Sequence, residues 1–216
     1  MQLTLDQLVI PAGNQVLLKD IDWNDFEAMQ EEFDELGKKS RFSYSKGLLE
    51  LMSPLAVHED DKNIISDLVK VLLEELDIEF RALGSVTLKN KAMNKAVEAD
   101  ECFYILHESV IRGKARIDLS IDPPPDLAIE IDITNRTHFD NYEKLGVPEL
   151  WRYDGTELNI LILESGVYQS SETSRQFPNF SIKQIIPEHL EKSKQQGRNK
   201  TMKAFRQLIT LENKDF

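Results

Sequence analysis

The sequence predicts an α/β (α+β) fold in which a mixed central β-sheet is flanked by helices, with an N-terminal helix and a β-hairpin before it. Three observations lead to this prediction. Residues 59–76 have helical periodicity, residues 126–133 alternate as a strand does, and short apolar runs separated by turn residues lie around them. No internal repeat or low-complexity linker divides the 216 residues, so we expect a single domain over 1–216.

The N-terminal part is predicted to form a helix and then a hairpin. Over residues 22–37, aromatic and apolar side chains recur at three- and four-residue steps, and Gly37 is a suitable end for the helix. Two apolar runs, 41–45 and 48–52, flank Lys46-Gly47 and indicate a β-hairpin.

A long amphipathic helix over about 59–76 follows, because its apolar residues form one broad stripe. Beyond it we predict strands near 86–88 and 97–106, an extended approach at 123–125, a short helix from about 137 to 145, and a hairpin of 149–153 with 158–163.

Composition limits the classes of function. The net charge of −12 disfavours a protein that coats nucleic acid, which requires clustered Lys and Arg, but it is compatible with a nuclease whose site is acidic. The single cysteine, Cys102, excludes an intramolecular disulfide and a cysteine-rich zinc site. The sequence shows neither signal-peptide features nor an apolar run near the roughly 20 residues of a membrane span, so we expect a cytoplasmic protein.

The segment 126–133 carries the main indication of chemistry. Leu127, Ile129, Ile131 and Ile133 fall on one face of a strand, and Asp126, Ala128, Glu130 and Asp132 fall on the other. Carboxylates on a well-packed strand are costly unless a cation or a metal compensates them, so this face suggests a metal-binding active site. The alternative is an exposed strand whose polar face meets water.

Geometry limits which carboxylates can share one ion. Asp126 and Glu130 lie about 13 Å apart along a strand, whereas Glu130 and Asp132 lie about 6–7 Å apart on the same face. A second ligand is better placed on a neighbouring strand, and Asp100 is our candidate. Because the acid Glu101 shares the odd-numbered phase of the apolar residues around it, the alternation is not clean, and we expect a bulge near Asp100 or a strand that starts only at 102.

Four stretches together resemble the putative restriction endonucleases of the PD-(D/E)XK nuclease superfamily, formerly a domain of unknown function. The resemblance covers most of residues 20–165, leaving 166–216 as a C-terminal extension. The stretches are 47–54 with His58 after it, Glu98-Ala99-Asp100, 125–130 and 142–151.

This resemblance implies a restriction-endonuclease-like fold and metal-dependent hydrolysis of DNA phosphodiester bonds. Asp100 and Glu130 would then bind Mg²⁺ (or Mn²⁺), which activates water and stabilises charge on the phosphate. His58 and Glu59 would either supply an outer-shell group or simply begin the long helix. A catalytically inactive module that binds DNA or protein, and a hydrolase of smaller phosphate esters, are the alternatives.

One departure from the family pattern concerns its lysine. The superfamily lysine two residues after the glutamate is Asp132 here, and in the family it moves to the position that His138 holds. The predicted catalytic set is therefore Asp100, Glu130, Asp132 and His138. Arg136 and Lys144 are nearby cations, although helical phase directs Lys144 to solvent.

The C-terminal extension contains a basic stretch over 189–211 in an otherwise acidic chain. It is the natural place to look for phosphate contacts, whereas the alternative is a solvated helix face with Phe205, Leu208 and Ile209 packed inward. Trp151 and Tyr153 are interpreted as core or dimer-contact aromatics. We expect DNA as the partner and a homodimer as the assembly, since duplex cleavage commonly uses two active sites.

Overall fold

A computed structural model describes residues 5–37, 40–132 and 140–212, which contain six α-helices, eleven strands and one 3₁₀ turn (Leu5–Gln7). The strands are β1 (Gln15–Leu18), β2 (Arg41–Ser45), β3 (Leu48–Met52), β4 (Arg81–Ala82), β5 (Thr87–Asn90), β6 (Lys95–Glu98), β7 (Glu101–Tyr104), β8 (Leu127–Ile131), β9 (Glu149–Tyr153), β10 (Leu158–Glu164) and β11 (Val167–Ser171). The helices are α1 (Trp23–Glu35), α2 (Ala56–Glu75), α3 (Glu108–Ile111), α4 (Asp140–Leu145), α5 (Ile182–Gln196) and α6 (Arg198–Glu212).

The main sheet has six strands in the order β11-β10-β9-β8-β7-β4. It is mixed, because β8 and β9 run parallel while the other neighbours run antiparallel. Helices α2, α5 and α6 contact one another and the sheet, and they enclose the largest apolar core. The predicted mixed sheet flanked by helices is confirmed. No helix among the described residues is long and apolar enough to cross a bilayer.

The predicted hairpin of β2 and β3 lies inside a second, five-stranded sheet with the order β1-β3-β2-β6-β5. All its neighbours are antiparallel. Helix α1 covers it through a cluster of aromatic rings, in which Phe26 stacks on Tyr44 at 4.9 Å between centroids. The sequence predicted the hairpin and a strand near 86–88, but it predicted neither β1 nor the pairing of these strands into a second sheet, because that pairing joins segments far apart in the chain.

The two sheets are joined at Ala99 and Asp100, where the chain leaves β6 of one sheet and enters β7 of the other. This junction explains the irregular phase of the sequence. Val97 and Ala99 pack into the same apolar cluster as Cys102 and Tyr104. The residues that face this cluster therefore have odd numbers before Asp100 and even numbers after it. The predicted strand over 97–106 is therefore two strands, and the second begins at 101 and not at 102.

Candidate active site

The structure brings Asp100 and Glu130 together. The antiparallel ladder of β7 and β8 pairs Glu101 with Ile129, so one further step places Asp100 opposite Glu130 on the same face. The Asp100 amide nitrogen lies 3.4 Å from Oε1 of Glu130, and the Ile131 amide donates to Oδ2 of Asp100 at 2.7 Å. Both side chains are buried. Two carboxyl groups thus share a space from which water is excluded.

Both faces of β8 are buried, so the alternative of a polar face exposed to water is wrong for this strand. Leu127, Ile129 and Ile131 pack into the main core, as their alternation predicted. On the opposite face, α4 lies over Glu130, and the hydroxyl of Tyr142 donates a hydrogen bond to its Oε1.

Helix α4 also joins this face to the second sheet. The side-chain amide of Asn141 donates to Ser43 Oγ at 3.1 Å and to the carbonyl of Ala96 at 3.2 Å. Asp140, at the start of the helix, accepts from Lys95 at 2.6 Å. These contacts hold α4 over the carboxylate pair.

Arg41 and His58 complete the surroundings of Asp100. The Arg41 guanidinium contacts Oδ1 of Asp100, and Nε2 of His58 lies 3.1 Å from Oδ2. A second guanidinium nitrogen of Arg41 donates to Glu59 at 2.7 Å. Burial opposes the charged guanidinium, but the carboxylates of Asp100 and Glu59 outweigh it and raise the pKa of Arg41 above its usual value.

Sequence reasoning missed Arg41, although a signal was available. Phe42 and Tyr44 pack under α1, and the alternate positions Arg41, Ser43 and Ser45 form a polar face like that of β8. A buried polar face on a hairpin strand requires a partner, and here Asp100 and Asn141 supply it.

His58 and Glu59 occupy the first turn of α2, as one of the two interpretations predicted, and they also reach the carboxylate cluster. Lys62, one turn further, donates to Glu59 at 2.6 Å. Burial raises the pKa of Glu59, but the hydrogen bonds from Lys62 and Arg41 outweigh this effect and leave the pKa below its usual value. Helix α2 begins at Ala56, three residues before the predicted start.

The other two carboxylates of the segment have separate partners. Asp126 accepts from the amides of Ile105 at 2.7 Å and His107 at 3.1 Å, which fixes the chain after β7. Asp132 contacts the guanidinium of Arg152 on β9. His138 and Arg136 lie outside the described residues. Lys144 is exposed, as its helical phase predicted.

The signature 142–151 has structural roles as well. The Glu149 carboxylate is fully buried and accepts from the Trp151 indole at 2.6 Å and from the amides of Arg175 at 2.9 Å and Gln176 at 3.2 Å. Burial, the larger effect, raises the pKa of Glu149 despite these hydrogen bonds. Trp151 and Tyr153 belong to the core, as one of the two interpretations predicted.

A cleft of about 700 Å³ opens beside the cluster, and Arg41 and Glu59 form part of its wall. Further lining comes from α1, the start of α2 and the ends of β5 and β6. A ligand in this cleft would lie next to the guanidinium that contacts Asp100.

Half of the basic residues in the C-terminal stretch pair with acids of α2. Lys194 binds Asp61 at 2.8 Å, Arg198 binds Asp67 at 2.6 Å, and Arg206 contacts Glu74 and Glu75. Phe205 and Ile209 are buried against the main core, and Leu208 packs beside them. The prediction that Phe205, Leu208 and Ile209 pack inward is confirmed. The basic side chains Lys194, Arg198 and Arg206 are not simply solvated, because they pair with acids of α2.

The donor chemistry of the pair suits a hard divalent cation. Mg²⁺ prefers oxygen ligands and is commonly held by one or two carboxylates together with water and substrate phosphates. Asp100 and Glu130 provide two such groups from adjacent strands. No cluster of three or more His, Cys, Asp or Glu side chains suited to a metal occurs within residues 5–37, 40–132 and 140–212.

Comparison with protein-family models identifies the family. The family model described as "Uma2: Putative restriction endonuclease" matches residues 23–194. Among solved structures, the chain is similar to a putative nuclease belonging to DUF820 from Anabaena variabilis ATCC 29413, with 16% sequence identity and a TM-score of 0.49 over 69% of this chain and 90% of that chain. No curated protein gives a match.

Proposed function

Because this chain belongs to the Uma2 family of putative restriction endonucleases, we propose that it is a metal-dependent nuclease that hydrolyses phosphodiester bonds in DNA. The observation that carries the proposal is the pairing of Asp100 with Glu130 across β7 and β8. Two buried carboxylates at adjacent positions repel each other and lose their hydration, so cations have to compensate them; Arg41 contacts Asp100, and a divalent ion held between Asp100 and Glu130 would compensate both.

In this proposal, Asp100 and Glu130 hold the Mg²⁺ or Mn²⁺ ion. The bound ion would supply an activated water and would neutralise charge that develops on the phosphate. The remaining roles belong to the protein. Tyr142 and the Asp100 amide orient Glu130, while Arg41, His58 and the Ile131 amide orient Asp100. The assignments of Asp132 and His138 to catalysis remain predictions.

Plasmid cleavage tests the proposal. Wild-type protein is expected to nick supercoiled plasmid in Mg²⁺ or Mn²⁺ but not in EDTA, and Glu130→Gln and Asp100→Asn are expected to reduce the rate to background. Glu101→Gln is the matched control, because Glu101 is a buried glutamate that binds Ser66 of α2 at 2.6 Å, away from the pair.

The control is expected to retain the wild-type rate. Cleavage by Glu130→Gln at the wild-type rate would contradict the proposal, provided that circular dichroism shows all the variants to be folded.

A second candidate function is a catalytically inactive nuclease-fold module that binds DNA or a protein. Two observations favour it: Asp132 stands where the superfamily lysine is expected, and the Arg41 guanidinium already contacts Asp100. A wild-type protein that binds duplex DNA but ignores Mn²⁺ and leaves plasmid intact would support this module over the enzyme.

A further inference from the structure

Asp132 occupies the position two residues beyond Glu130, where the superfamily resemblance leads one to expect a lysine. An acid cannot supply positive charge to a phosphate. Its carboxylate, however, contacts Nη2 of Arg152 from the neighbouring strand β9. The wider superfamily carries its lysine at this position, whereas the family resemblance moves it to the position of His138, so Asp132 holds a guanidinium beside the end of β8 where only the wider superfamily has a cation.

The sheet places Arg152 beside the carboxylate pair. The parallel ladder of β8 and β9 pairs Glu130 with Arg152, while the ladder of β7 and β8, extended by one step, places Asp100 opposite Glu130. The three residues thus form one row across three strands, with neighbours about 5 Å apart. They share the face opposite the main core, because Ile129 and Trp151, the adjacent pair, point into that core.

We propose that Arg152, positioned by Asp132, supplies the cation that contacts the scissile phosphate next to Asp100 and Glu130. This inference rests on the proposed nuclease function. A guanidinium stays protonated at any physiological pH, and its planar fork matches two phosphate oxygens. The Arg152 side chain is 30% exposed while that of Asp132 is only 6% exposed, so a buried carboxylate holds an arginine that is itself only partly buried.

A simpler role for Arg152 would be to neutralise Asp132. Removing Arg152 would then harm activity only by leaving a buried carboxylate near the phosphate, and removing both charges would repair the defect. If Arg152 itself contacts the phosphate, removing both charges repairs nothing. The double variant separates these two roles.

The experiment compares Asp132→Asn, Arg152→Met, Arg152→Lys and the double variant Asp132→Asn/Arg152→Met with wild type. Single-turnover plasmid cleavage in Mg²⁺ gives the rate, DNA affinity in Ca²⁺ gives binding, and thermal unfolding reports the fold. Arg175→Met is the matched control, because Arg175 pairs with Glu164 in an arginine–carboxylate contact of 2.8 Å at the other end of β9.

We expect Arg152→Met to lower the cleavage rate about 100-fold, the loss typical of removing one group that stabilises transition-state charge. Arg152→Lys should retain more activity than Arg152→Met, and Asp132→Asn should lose about tenfold, as for other supporting partners of a site. The double variant should be as slow as Arg152→Met, and the Arg175 control should match wild type.

Recovery of the wild-type rate in the double variant would overturn the inference and leave the nuclease proposal intact, as would an unaffected Arg152→Met. Absence of metal-dependent cleavage by wild type would refute the nuclease proposal and this inference with it.

Discussion

Arg41 is the residue with the largest electrostatic role in the cluster. It is buried between Asp100 and Glu59, and its guanidinium contacts both carboxylates. A bound divalent cation would compete with Arg41 for Asp100, since both are attracted to the same carboxylate. The arginine thus stabilises the site when no metal is bound, at some cost to metal affinity.

Replacing Arg41 tests this competition. Arg41→Met should lower the free energy of unfolding by about 3 kcal/mol or more, because a buried carboxylate loses its counterion. Mn²⁺ should then stabilise the variant more than it stabilises wild type, since the ion replaces the lost charge. Urea denaturation with and without Mn²⁺ measures both effects.

The half-exposed pair of Arg175 with Glu164 provides the control for this experiment. Arg175→Met should change stability by less than about 1 kcal/mol and should leave the response to Mn²⁺ unchanged. Equal stabilisation of wild type and Arg41→Met by Mn²⁺ would argue that Asp100 does not bind the ion.

At the residue level, the sequence predicted that Asp100 and Glu130 lie together, and the structure places them side by side. It did not identify Arg41 or Arg152. Arg41 lies 59 positions before Asp100, and its contact depends on how the two sheets meet. Arg152 lies beside Glu130 only through the parallel register of β8 and β9, which no local pattern specifies.

At the scale of elements, periodicity predicted what is long or strongly amphipathic. Helices α1 and α2 and the hairpins β2–β3 and β9–β10 are present, within a few residues of their predicted bounds. The short strands β1 and β4 were not predicted, because two to four residues carry too little periodicity, whereas β5 was predicted near 86–88 and the end of β6 was predicted only as part of one stretch with β7. In the sequence, the break between β6 and β7 was visible only as an irregular alternation of apolar and polar residues near Asp100.

Strand β9 shows how one carboxylate can hold an element in place. Glu149 ties this strand to the chain at Arg175 and Gln176, and burial keeps its pKa above the ordinary value of 4.5. The folded state therefore binds the proton more tightly than the unfolded state. The stability that protonated Glu149 contributes is complete below about pH 4.5 and is lost as the pH rises through the raised pKa.

Glu149→Gln removes this titration. We compare the free energies of unfolding of wild type and variant. The difference, wild type minus variant, should fall as the pH rises from about 4.5 through the raised pKa of Glu149, because only wild type acquires a buried charge. Urea denaturation across this pH range measures the difference. A difference that stays constant or increases with pH would show that Glu149 is not held with a raised pKa.

At the scale of the whole molecule, the acidic balance acquires a structural explanation. Several acids of α2 are paired with the basic side chains of α5 and α6, and this pairing accounts for much of the basic C-terminal stretch. With a net charge of −12, the DNA binding that we propose would depend on a few local cations and on a bound metal. We place those cations at the junction of the two sheets.

The central claim is that Asp100 and Glu130, facing each other across β7 and β8, together hold one divalent cation. Calorimetric titration with Mn²⁺ tests this claim most directly, because it requires no substrate. We predict one binding site per chain in wild type and in Glu101→Gln, and loss of binding in both Asp100→Asn and Glu130→Gln. A folded wild-type protein that takes up no Mn²⁺, or a Glu130→Gln variant that binds it as wild type does, would contradict the claim.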